Sequence, residues 1–142
     1  MTPVPVDPFE KYPGYCLRRA SAATMARLAR RFAVLGLRPS EASVLMVIDA
    51  NPNITQSEIG RMLDIARANM APLMARLSAR ELVRRQRVDG RSHGLVLSST
   101  GRSVTDKVKK AVAAHEKAVL SKIPPALREG MLAALRALWA DD

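Results

Sequence analysis

Apolar residues recur at helical spacing over most of the chain. Leu17, Ala20, Thr24, Leu28, Phe32 and Leu35 form one stripe, which predicts a helix from Gly14 to about Leu35, with Gly36 ending it in the usual C-terminal position. After Pro39-Ser40 the stretch from Glu41 to about Ala50 is apolar almost all round, at Val44, Leu45, Met46, Val47 and Ile48, so this helix belongs at the centre of a domain. Asn51-Pro52-Asn53 closes it. Thr55-Gln56-Ser57-Glu58 then sets a hydroxyl at an N-cap and a carboxylate at N3, a capping box flanked by Ile54 and Ile59 as a hydrophobic staple. Met62 and Leu63 continue that short helix, Asp64-Ile65 interrupts it, and a second short helix carries Met70, Leu73, Met74 and Leu77.

Beyond Leu82-Val83 the period changes. Arg84-Arg85-Gln86-Arg87-Val88 and Arg91-Ser92-His93-Gly94-Leu95-Val96-Leu97 predict two strands around a tight Asp89-Gly90 turn. Ser98-Ser99-Thr100-Gly101 opens a long helix with its stripe at Val104, Val108, Ala111, Val112, His115 and Val119. Pro124-Pro125 ends that helix and begins the last one, patterned at Leu127, Met131, Leu135 and Leu138 with Trp139 beside them. Residues 1–13 hold four of the nine prolines and form an extended N-terminal arm. The fold class is therefore mainly α, an α+β winged helix of six helices and a two-stranded β wing. Its winged helix-turn-helix core spans residues 40–100 within one domain, 14–142. The helices at 14–36 and 99–140 lie outside that core, and pairing with a second copy of the chain covers their apolar stripes.

Composition narrows the function. A length of 142 residues suits one domain, and a hydrophobic content of 48% with only 4% aromatic favours aliphatic helix packing over a sandwich or barrel. The net charge of +10 requires a polyanionic partner. Nucleic acid fits better than a membrane, because the longest apolar stretch, Val44 to Ile48, is far short of the roughly 20 residues a spanning helix needs. The opening Met1-Thr2-Pro3-Val4-Pro5-Val6-Asp7 lacks the basic and apolar regions of an export signal, so a cytoplasmic, nucleoid-associated protein is expected. Cys16 is the only cysteine and the two histidines are far apart, which leaves no disulfide, metal site or catalytic nucleophile with its base. Neither an enzyme nor a cofactor is expected.

The charge concentrates where the pattern puts a recognition helix and hairpin, with eight arginines from Arg61 to Arg91. The DNA-contacting set is Thr55, Gln56, Arg67, Asn69, Met70, Arg76, Arg87, Asp89, Arg91 and His93. Arg67, Asn69 and Met70 open the second helix of the pair, whose early residues reach base edges in the major groove. Arg67 suits guanine and Asn69 suits adenine, each through paired hydrogen bonds; the competing reading has Arg67 on phosphate and Asn69 as a local cap. Arg91 suits a narrow minor groove, with Asp89 orienting it or tying the wing to the helix. Arg76, Arg80, Arg84, Arg85 and Arg87 supply phosphate contacts in part, since strand neighbours Arg84 and Arg85 point opposite ways. Tyr15, Arg18, Arg19, Ser21 and Met25 on the first helix, facing Ser43 and Met46 on the second, could anchor an acidic effector at a pocket rim; surface charge beside a core competes with that reading. His115, on an apolar stripe, reads as a hydrogen-bonded core or interface histidine.

Ile54-Thr55-Gln56-Ser57-Glu58-Ile59, Leu82-Val83, Asp89-x-Arg91, Leu95-x-Leu97-Ser98 and Gly101 together resemble the MarR (multiple antibiotic resistance) regulators, over about residues 14 to 140. The resemblance implies a winged-helix homodimer with interleaved terminal helices, recognition helices in successive major grooves of a pseudo-palindromic operator on double-stranded DNA, and an effector pocket between the DNA-binding lobe and the dimerisation helices. Ala66 departs from the usual Ser or Thr cap, Glu81 from the usual helix-ending glycine, and Pro72 falls inside the recognition helix. Arg67-Ala68-Asn69-Met70-Ala71-Pro72 looks like the subset that regulates aromatic-acid catabolism, which implies a repressor released from its operator by a small aromatic acid or its coenzyme A thioester. Two alternatives stand beside this: a non-specific nucleic-acid-binding protein acting by charge alone, and a redox-sensing regulator using Cys16, since the family includes peroxide sensors with such a cysteine.

Overall fold

Each stripe read from the sequence corresponds to a helix: α1 (Pro13–Ala33), α2 (Pro39–Ala50), α3 (Gln56–Met62), α4 (Arg67–Ala79), α5 (Ser99–Ser121) and α6 (Pro125–Ala137). Between α4 and α5 lie β1 (Val83–Arg87) and β2 (His93–Leu97), paired antiparallel. The computed structural model describes residues 1–90 and 92–140.

Helix boundaries follow local chemistry. Prolines stand in the first turns of α1, α2 and α6, where a missing N–H costs nothing. Gly36, at φ +67°, supplies the left-handed step that turns the chain out of α1. At the end of α4 the same step falls on Glu81 at φ +56°, where a β-carbon makes it unfavourable. Leu82 N–H still closes onto the Leu77 carbonyl at 3.1 Å, so α4 terminates as a glycine-ended helix would. Pro72 leaves α4 continuous, its missing N–H costing only the bond to the Ala68 carbonyl in the helix's exposed first turns.

α2 is the hub, with Ala42, Val44, Leu45 and Ile48 all at or below 1% exposure. Phe32 of α1, Ile59 of α3, Met70, Leu73, Met74 and Leu77 of α4, Leu95 of β2 and Val108 of α5 complete the core around it. The predicted staple holds, with Ile54 and Ile59 both buried. β2 has backbone partners on both of its edges, an isolated bridge on one and β1 on the other. Leu95 donates to the Ile54 carbonyl at 2.8 Å on one side, and the register Val83↔Leu97 through Arg87↔His93 runs along the other. Gly94 is required here, because a β-carbon would lie 2.5 Å from the Asn53 carbonyl oxygen.

Two expectations need correction. The ladder ends at Arg87↔His93, so β1 stops at Arg87, β2 starts at His93, and more than a two-residue Asp-Gly turn joins them; the expected strand start at position 91 lies outside the described residues. Asp89 Oδ1 accepts the Ser92 N–H at 2.8 Å, and Val88 N–H bonds the Ser92 carbonyl at 3.2 Å, which closes this longer loop. The arm is not extended throughout. It folds back from Asp7 onto the first turn of α1, where Tyr15 donates its hydroxyl hydrogen to Asp7 Oδ2 at 2.8 Å and its ring lies 5.5 Å from that of Phe9.

α5 is the bridge out of the core: Thr105 and Val108 are fully buried, while Leu120 near its end is exposed. α6 buries none of its residues, and Leu127, Leu132, Leu138 and Trp139 stand more than half exposed. Among the described residues, no helix is long and apolar enough to cross a membrane.

Candidate nucleic-acid interface

α3 starts with both arms of its capping box closed. Thr55 Oγ1 accepts the Glu58 N–H at 3.2 Å, and Glu58 Oε2 accepts the Thr55 N–H at 2.8 Å. Glu58 Oε2 also accepts from the Thr55 hydroxyl at 2.9 Å, and the backbone N–H first and this hydroxyl second hold the Glu58 carboxyl below its ordinary range. These bonds also commit the Thr55 hydroxyl to the helix start. Gln56 Oε1 accepts from Arg85 Nη2 at 3.1 Å, which ties the wing strand to α3 and turns Arg85 toward the protein. Its neighbour Arg84 stands exposed on the opposite face of β1, as strand alternation requires.

Between α3 and the start of α4 lies an open notch of about 570 Å³ whose walls include Gln56, Arg61, Ala66 and Arg67. Arg67 lines it, and both Arg67 and Asn69 are exposed on the first turn of α4. Ala66 offers no side-chain cap, so the positive end of the helix dipole faces outward beside the Arg67 guanidinium, an arrangement suited to an anion. Met70 sits differently, at the floor of this notch. Expected at a base edge, it is 2% exposed and points into the core, where its side chain lies against Gly60. The helix period explains this: Met70, Leu73, Met74 and Leu77 form one face, and Met70 is the first of its anchors.

Arg76 and Arg80, one turn apart on α4, face the protein as well. Arg76 Nε donates to Glu41 Oε1 at 2.6 Å, and Glu41 Oε2 accepts the Arg38 N–H at 2.9 Å. Glu41 is buried, which opposes its ionisation. The Arg38 N–H and the Arg76 guanidinium outweigh that penalty and hold its carboxyl below the ordinary value. Arg80 donates to the Gly36 carbonyl at 2.8 Å and to the Leu35 carbonyl at 3.2 Å. Arg76, expected on DNA, thus has its Nε engaged by a carboxylate on α2 while its side chain stays 39% exposed. Sequence reading missed Glu41 as its partner, although its place at N3 behind Pro39 marked it as a capping carboxylate. Arg87 and His93 sit opposite each other at the exposed end of the hairpin, next to Asp89. Arg91, the candidate for the minor groove, lies outside the described residues.

The expected effector group is divided in this fold. Tyr15, Arg18 and Arg19 cluster at the far end of α1. Arg19 Nη1 donates to Tyr15 Oη at 2.8 Å, and the Arg18 guanidinium lies 5.2 Å over the Tyr15 ring. Asp7 accepts from the Phe9 N–H and the Tyr15 hydroxyl, which lower its carboxyl below its usual range. Ser21 and Met25 are exposed further along α1. Ser43, by contrast, donates to the Pro39 carbonyl within α2 at 3.1 Å, and Met46 packs against the core. α1 meets the core through Leu28, Phe32 and Leu35, so roughly 15 Å of helix separates Arg18 from that contact. The chain by itself does not bring the two sets together.

Three further groups bear on function. The Cys16 thiol is exposed and donates to the Glu10 carbonyl at 3.0 Å. His115 is buried as expected of a core or interface histidine. Thr105 Oγ1 is buried with no partner among the described residues.

With this geometry in view, comparisons with known proteins converge. A family model described as the MarR family matches residues 35–92, from the turn after α1 through the wing connection. A structure of the transcriptional repressor CouR bound to p-coumaroyl-CoA superposes with a TM-score of 0.85 at 30% identity, covering 99% of this chain and 100% of that one. CouR bound to a 23-mer DNA duplex gives a TM-score of 0.83 at 30% identity, again over 99% and 100% of the two chains. A transcriptional regulatory protein for the hcr operon of Thauera aromatica is 24% identical over 132 residues, which is 91% of this chain and 80% of that protein.

Proposed function

This chain belongs to the MarR family, and from that membership we propose that it is a dimeric repressor whose grip on operator DNA is released by an aromatic acid or its coenzyme A thioester. It is a DNA-binding transcriptional regulator, and the observation that carries the reading is the first turn of α4. There Arg67 and Asn69 project beside an uncapped helix start, held by a Met70 anchor below and a hairpin tied through Arg85 to Gln56. Apart from these two, the exposed face of α4 is Ala68, Ala71, Pro72, Ala75, Ser78 and Ala79. Small side chains let such a helix approach base edges closely and touch thymine methyl groups.

The second protomer is what α6 calls for, since an amphipathic helix with no buried residue lacks the packing that stabilises helices in water. Pairing α1, α5 and α6 with their copies covers Leu17, Leu127, Leu132 and Trp139, and sets two α4 helices about one turn of DNA apart. The effector assignment rests on the likeness to CouR, one of whose structures holds p-coumaroyl-CoA. Arg18 and Arg19 are the guanidinium groups we assign to its acidic part.

The test begins with a duplex that the protein itself enriches from a random pool. Wild-type protein retains that duplex against an excess of scrambled competitor and releases it when p-coumaroyl-CoA is added. Equal affinity for scrambled DNA would sink the sequence-specific reading; retention in the presence of every aromatic acid and thioester tried would sink the effector assignment alone.

A further inference from the structure

We propose that Arg76 and Arg80 form a two-point clamp that fixes the pitch of α4 against the α1–α2 corner, so that the DNA-reading end of α4 and the end of α1 move as one body. The inference rests on the reading of α4 as the recognition helix.

The geometry carries it. Both arginines lie on the C-terminal half of α4, one turn apart, and each reaches a different element. Arg76 binds a buried carboxylate at the start of α2. Arg80, the C-cap residue of α4, fans over two successive carbonyls just past the end of α1, at the negative pole of that helix. A guanidinium holding two acceptors resists rotation in a way that a single contact does not. Apolar packing through Leu73 and Leu77 keeps α4 on the core, but ridges of aliphatic side chains tolerate sliding. The clamp removes that freedom at one end. α4 is about 20 Å long, so a tilt of a few degrees at Arg80 displaces Arg67 by about an ångström, enough to misplace a paired hydrogen bond to a base. A ligand that shifts α1 thus has a rigid route to the DNA-reading turn.

The clamp occupies Arg76 Nε and both terminal nitrogens of Arg80, so a positioning role and a phosphate contact differ in what removing Arg80 does, which gives the experiment its readout. Arg80→Ala and Arg80→Lys are compared with wild type on the duplex selected by wild-type protein, over a salt series, at a temperature where circular dichroism shows each variant folded. A positioning role predicts a several-fold weaker Arg80→Ala complex with an unchanged slope of log K against log salt, and partial recovery in Arg80→Lys. A slope reduced by about 1 per protomer identifies Arg80 as a phosphate contact and overturns the clamp. Unchanged affinity reduces Arg80 to a packing residue and overturns it as well.

Hydrogen exchange supplies a measurement on wild type that survives a variant's failure to fold. The amides of Leu35, Gly36 and Leu37 are bonded to Phe32 and Ala33 carbonyls at the far end of the clamp. Duplex binding slows their exchange if the clamp transmits, and leaves it unaltered if it does not. A protein that enriches no sequence from the pool fails earlier, at the proposed function, and the clamp falls with it.

Discussion

Gly101 sits so close to Leu82 that a β-carbon on it would stand 1.9 Å from the Leu82 carbonyl oxygen. That oxygen accepts the Ser98 N–H at 3.0 Å, and Ser98 Oγ in turn donates to the Glu81 carbonyl and accepts the Gly101 N–H. The start of α5 is thereby sewn to the end of α4 backbone to backbone. Gly101→Ala is expected to cost more than about 3 kcal/mol, because neither partner is a side chain that can step aside. Gly90→Ala, where nothing lies within 4 Å, is expected to change stability by less than about 0.5 kcal/mol. Urea titrations of the two variants check the contrast, and similar midpoints would contradict it.

Thr105 buries a hydroxyl that finds no partner among the described residues. Replacing it with valine keeps the shape and removes the unsatisfied group, so Thr105→Val is expected to gain about 1 kcal/mol. Thermal unfolding measures this directly. A loss of similar size would reveal that the hydroxyl is bonded across the dimer interface.

Glu41 links stability to pH. Its folded-state carboxyl titrates below the ordinary value of 4.5. Its contribution is therefore complete above that ordinary value and disappears as the pH falls through the lower, folded one. Glu41→Gln is expected to be less stable than wild type by about 2 kcal/mol at pH 7, with the gap closing as the pH falls below the ordinary value of 4.5. Denaturation midpoints across that range decide it, and a gap independent of pH would mean the charge on Glu41 contributes nothing.

Asn69→Ala and Arg84→Ala are expected to fail differently on DNA. Loss of Asn69 relaxes base preference at one position of each half-site by about 1–3 kcal/mol while sparing the salt dependence. Loss of Arg84 weakens all sequences alike and flattens the salt slope by about 1 per protomer. Selection from a random pool and a salt series separate the two, and an Asn69→Ala protein with undiminished preference would place Asn69 as a local cap.

The features legible in the sequence were those set by local chemistry. Thr55 and Glu58 announced α3, Gly36 announced the end of α1, and the aliphatic period gave every helix to within a few residues. What the sequence hid was long-range. Arg76 and Arg80 look like free cations until the fold places Glu41 and the Leu35 and Gly36 carbonyls opposite them. Met70 looks available to DNA until α3 covers it through Gly60. The separation of the two halves of the effector group was hidden for a related reason: within one chain Asp7 of the arm engages Tyr15, while Ser43 bonds within α2.

α6, with no hydrophobic shelter of its own, carries a consequence for gene control. When assembly is weak relative to cellular abundance, the active form accumulates as the square of protomer number. Halving synthesis then cuts the paired population about fourfold, so the DNA occupancy expected of the proposed dimer falls more steeply than the amount of protein.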